Sequence, residues 1–126
     1  MMSFYDAVKK MEKEKALEKE YSYLLDQGFD VSRDFEAAQA NYCEDELEDS
    51  ISDSYTVLRS YKEIRDRENN TRYIILHAKI KADDFSVFWH AFITEAYGSG
   101  EKQIAELTFG DFRSAVHGIN NFFKSL

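Results

Sequence analysis

The sequence predicts an α+β domain: two N-terminal helices, a three- or four-stranded antiparallel meander sheet, and a C-terminal amphipathic helix packed on the sheet. Three observations predict it. In the first part of the chain apolar residues recur every three or four positions, the period of a helix face. From Tyr55 onward they alternate, the period of a strand. After Thr108 the helical period returns. A chain of 126 residues, 44% hydrophobic and 15% aromatic, suits one domain with its own core. The expected division is a helical part over 3–50, a sheet over 55–107 and a closing helix over 109–126.

Ser3 to Gln27 reads as one helix. Ser3 and Asp6 stand at capping-box spacing, and Gly28 supplies the stop. Phe4, Ala7, Val8 and Met11 form one apolar group, and Leu17, Tyr21, Leu24 and Leu25 another. Glu12 to Lys15 between them is fully charged, so the helix is expected to dock by its two ends. A second helix, capped by Asp30 or Ser32, runs through Asp34–Cys43, with Phe35, Ala38 and Tyr42 as its buried stripe. If it continued to Asp49, Glu44–Glu48 and Asp45–Asp49 would repel at i, i+4 and crowd the negative end of the helix dipole. Either the helix frays near Cys43, or something holds the acids there.

Tyr55–Arg65 and Arg72–Ala82 read as strands joined through a turn at Glu68-Asn69-Asn70. Ile74, Leu76, Ala78 and Ile80 share one face; Tyr73, Ile75, His77 and Lys79 share the other. Phe85–Tyr97 reads as a strand, with a helix as the alternative, and a Gly98-Ser99-Gly100-Glu101 turn leads into Gln103–Leu107. Aromatics on both faces of this strand, Trp89 among them, point to cover of the second face by the N-terminal helix or by a second subunit. In the closing helix Thr108 is the expected capping hydroxyl. Phe112, Ala115, Val116, Ile119, Phe122, Phe123 and Leu126 form the apolar face, and Gly118 permits a close approach to a strand.

Charge is unevenly placed. The whole formal net charge of −8 falls in residues 29–54, which hold nine acids and Arg33. Glu44, Asp45, Glu46, Glu48, Asp49 and Asp53 are its densest part. The hairpin that follows, 55–82, is basic, with Arg59, Lys62, Arg65, Arg67, Arg72, Lys79 and Lys81 against Glu63, Asp66 and Glu68. A concentrated field selects partners, whereas a diffuse one mainly confers solubility.

Little in the chain points to catalysis. Cys43 is the one cysteine, so neither a disulfide within the chain nor a cysteine metal cluster can form. No glycine-rich phosphate loop or nucleophile elbow is present, and the acids lack the glycine of a calcium loop. No apolar run reaches the roughly 18 residues that span a bilayer. The N-terminus lacks a secretory pattern, so a cytoplasmic protein without cofactor or bound metal is expected.

The expectation is therefore a non-enzymatic acidic module that binds a basic protein. Its concrete form is an inhibitor of phage or mobile-element type (anti-CRISPR or anti-restriction) whose carboxylates occupy the nucleic-acid site of an enzyme. Glu44, Asp45, Glu46, Glu48, Asp49 and Asp53 would carry the contact, with a homodimer an added expectation. One alternative is a nucleic-acid binder using the seven bases of hairpin 55–82 with Tyr55, Tyr61 and Tyr73. It ranks lower because no defined nucleic-acid motif accompanies them. Another is a small enzyme or ligand-binding domain built on His77 and His90.

Overall fold

A computed structural model describes residues 2–65, 67–97 and 100–124. Among the residues invoked above, Asp66, Gly98, Ser99 and Leu126, and the side chain of Phe123, lie outside the described set. The elements are α1 (Phe4–Lys13), α2 (Glu18–Asp26), β1 (Asp30–Arg33), α3 (Phe35–Leu47), β2 (Ser54–Arg65), β3 (Thr71–Lys81), β4 (Val87–Tyr97), β5 (Gly100–Phe109) and α4 (Phe112–Lys124). The strands form one antiparallel sheet in chain order, β1-β2-β3-β4-β5. The α+β class is as the sequence predicts. The sheet has five strands instead of three or four, and three helices precede its main hairpin instead of two.

The expected helix Ser3–Gln27 is two helices. Ser3 and Asp6 do make the capping box, with the Ser3 hydroxyl accepting from the Asp6 amide at 3.1 Å. Lys15 then adopts a left-handed φ of 54°. The Ala16 amide reaches the Met11 carbonyl at 2.8 Å and the Lys15 amide the Glu12 carbonyl at 3.2 Å. These are the two bonds of a Schellman stop, made here without glycine. The break lets Phe4, Ala7 and Val8 pack on one part of the core and Leu24 on another, which one straight helix could not do. Helix α2 ends in the same motif, with Gly28 at φ 87° as expected.

Asp30 and Ser32 do not cap a helix. They belong to β1, which pairs with β2 through Val31↔Ser60 and Arg33↔Leu58. The N-cap of α3 is Asp34, whose amide donates to the Val57 carbonyl at 2.8 Å. A bulge between Thr56 and Leu58 accompanies this bond and lets Val57 and Leu58 both be fully buried. Helix α4 is capped by Asp111, which accepts from the Ser114 amide at 2.8 Å, and not by Thr108, which lies in β5 opposite His90.

The sheet has two unlike faces. Ile74, Leu76, Ala78 and Ile80 of β3 are buried with Trp89, Ala91 and Ile93 of β4. Helices meet this face: Phe4 of α1 and Tyr42 of α3 pack on Tyr55, and Phe112 of α4 packs on Trp89. Leu24 of α2 and Ile119 of α4 join the same core. At Gly118 a Cβ would lie 2.4 Å from the Phe109 ring, so α4 presses on the last residue of β5 as the sequence suggested. The opposite face carries Tyr61, Tyr73, Ile75, His77, Phe88, His90 and Phe92, and among the described residues none of the core contacts of the helices reach it.

Candidate functional site

The acidic segment does not fray at Cys43. Helix α3 continues to Leu47 and ends on Asp49 at φ 53°, with the Asp49 amide on the Glu46 carbonyl and the Ser50 amide on the Asp45 carbonyl. Its last turn holds no base, so the carboxylates stand at the negative end of the dipole uncompensated. What holds the turn in place is Asp45. It accepts from the Tyr55 hydroxyl at 2.6 Å and from the Ser52 hydroxyl at 3.4 Å, while the Ser52 amide donates to the Tyr55 oxygen at 3.0 Å. Burial, and then the Asp45 carboxylate, push the Tyr55 phenol above its ordinary range.

The structure thus divides the six acids. Asp45 is half-buried and anchors the turn to the sheet. Glu44, Glu46, Glu48, Asp49 and Asp53 are exposed, and among the described residues no ion pair joins them to a base. Glu46 lies near the Tyr42 phenol, whose pKa is raised by burial first and by Glu46 second. In their midst Leu47 is 89% exposed, and Ile51 is also exposed. Sequence periodicity had not marked Leu47, because an apolar residue among acids on a short helix end carries no pattern of its own.

The basic hairpin does not present one basic surface. Lys62 turns to the helix side, where it donates to the Gln27 carbonyl at 2.6 Å and lies over the Phe29 ring. Arg72 shares the face of Ile74 and pairs with Glu95 at 3.8 Å. Arg59 is bonded to Asp34. Arg59, Arg65, Lys79 and Lys81 lie on the open face, and Arg67 lies in the turn. The acids Asp30, Glu63, Glu101 and Glu106 share the open face with these bases, so it is mixed and not basic.

His77 and His90 are brought directly opposite each other across β3 and β4. The Phe92 ring packs near both. Glu106 holds Nε2 of His90 at 2.7 Å, and Nδ1 of His90 is buried without a partner. Burial first, and then Arg59 and Lys79, lower the His77 pKa to about 4. An imidazole so tuned is neutral at physiological pH and a weak general base. His77 and Ile75 line a shallow groove of about 460 Å³ with Tyr61, Tyr73 and Arg59. Among the described residues no three His, Cys, Asp or Glu side chains converge on a metal position. No helix among them is long and apolar enough to cross a membrane. Cys43 and His117 are exposed.

No protein-family model matches the chain, and neither a curated protein nor a solved structure is significantly similar to it.

Proposed function

We propose that the exposed end of α3 and the loop behind it form a docking surface for a basic protein. One observation carries the reading. The chain has bases on the neighbouring hairpin, yet among the described residues none of them pairs with Glu44, Glu46, Glu48 or Asp49, at a helix terminus that disfavours these acids, or with Asp53 in the loop behind it. Exposed Leu47 and Ile51 add an apolar contact within the carboxylates. A partner presenting Lys and Arg around an apolar hollow fits this surface, and the nucleic-acid site of an enzyme has the required sign. The role is that of a non-enzymatic inhibitor, of the phage or mobile-element kind, acting inside the cell.

Affinity capture from the native cell tests the reading. The protein is compared with a variant carrying E44Q, E46Q, E48Q, D49N and D53N, with Asp45 kept so that the fold is undisturbed. Capture of a basic partner should be lost in the variant and should weaken steeply with salt in the wild type. Equal capture by both proteins refutes it.

A further inference from the structure

The open face of the sheet is self-complementary, and we propose that it is the interface of a homodimer formed by stacking two sheets face to face. The proposal is independent of what the acidic end of α3 binds, since that helix lies on the other side of the sheet.

Size is the first argument. The four strands β2–β5, about 4.8 Å apart and about 30 Å long, give a face on the order of 600 Å². Specific stable interfaces begin at about 600 Å² per partner, so the face is just large enough. Composition is the second. The centre is Ile75, Phe88 and Phe92 with His77, which is held neutral at physiological pH, and His90, which is bonded to Glu106; the other charges lie around it. Interfaces share this anatomy of an apolar centre and a polar rim.

Register is the third argument and selects the occupant. Tyr61, Ile75, Phe92 and Glu106 lie in one row across the sheet, and Thr56, Lys79 and Phe88 in another. A two-fold axis running along the strands between β3 and β4 exchanges β3 with β4 and β2 with β5. Each outward residue of β3 then faces the copy of its own cross-strand partner. Ile75 meets Phe92 of the second copy, and Lys79 meets the Phe88 ring of the second copy, a cation–π arrangement. At the far end of the sheet Arg65 of β2 meets Glu101 of β5 from the second copy, twice by symmetry. β1 has no counterpart, so Asp30 stays outside the contact. A nucleic acid fits this face poorly, because its bases are balanced by acids and it offers phosphate no net positive field.

Analytical ultracentrifugation with light scattering tests the proposal on the full chain. The wild type should be a dimer at micromolar concentration. Phe92→Lys should be monomeric with an unchanged far-UV spectrum and a thermal transition that, unlike that of the wild type, does not depend on concentration. Arg65→Glu should weaken dimerisation about tenfold, and adding Glu101→Arg should restore it. A wild type that stays monomeric up to about 100 µM overturns the proposal. So does a double charge reversal no better than the single one. Binding of a single-stranded oligonucleotide by the wild type that Phe92→Lys abolishes also overturns it, and assigns the face to nucleic acid.

Discussion

The Tyr55 hydroxyl donates to Oδ2 of Asp45 at 2.6 Å across ten residues of chain. This bond fastens the acidic end of α3 to the start of β2. It joins a buried phenol to a charged acceptor, the kind of hydrogen bond that contributes about 1.5–3 kcal/mol. Tyr55→Phe should therefore lower unfolding stability by about 2 kcal/mol in urea denaturation and speed proteolysis of residues 48–53. A raised folded pKa also means that the neutral phenol is favoured in the fold. Its contribution is fully present below the ordinary tyrosine pKa and is lost as pH rises above it, so the wild type should weaken in alkali more than Tyr55→Phe.

Two helices end on non-glycine residues in the left-handed region, Lys15 at φ 54° and Asp49 at φ 53°. The left-handed conformation costs L-residues roughly 1–2 kcal/mol, part of which glycine avoids. Lys15→Gly and Asp49→Gly should each raise stability by up to about 1 kcal/mol, read from the urea midpoint. At position 49 the gain would come with weaker capture of a basic partner, at position 15 without it. A loss of stability in both would show that the two stops are not strained.

Gly118 and Phe109 are coupled by contact. On an isolated helix Gly118→Ala would gain about 1 kcal/mol in propensity. Here the new methyl displaces the Phe109 ring, so the net effect should be destabilising by about 1–2 kcal/mol. In a Phe109→Ala background the same change should turn stabilising. A double-mutant cycle with no interaction energy between the two sites would contradict the geometry.

His77 gives the fold a pH dependence of its own. Its folded pKa of about 4 lies below the ordinary histidine value, so the unfolded chain binds the extra proton over the interval between them. The stability it contributes is complete above the ordinary value and is lost as pH falls toward about 4. In His77→Gln the urea midpoint should fall less over this interval. An NMR titration should show His77 neutral at pH values where an exposed histidine is charged. A His77 midpoint near the ordinary value would mean that the open face is more solvated than the fold shows.

Much of this architecture is legible in the sequence because alternation is hard to mistake. Ile74, Leu76, Ala78 and Ile80 are buried together, and Trp89, Ala91 and Ile93 with them, as period-two spacing required. Other features left weaker traces. The break between α1 and α2 rests on Lys15 and Leu17 at positive φ, which their side chains do not advertise. The charged run Glu12–Lys15 marked the place but read as a solvated stretch of one helix. β1 buries only Val31, too little for a pattern. Of the candidate site, the exposed carboxylates could be picked out from composition alone. The separate role of Asp45 could not, because it depends on where β2 places Tyr55.

The neighbour order of the sheet has a kinetic consequence. From β2 to β5 every pairing joins strands adjacent in sequence through short connections, so each closes a small loop at small entropic cost. The exception is β1, whose pairing with β2 must enclose all of α3. Contact order is thus low over β2–β5 and is raised by the pairing of β1 and by the docking of the helices, Phe4 on Tyr55 and Tyr23 on Phe112. The meander is expected to be the folding nucleus, with β1 docking after the barrier. Leu76→Ala should then slow refolding, while Val31→Ala should act on the unfolding rate alone.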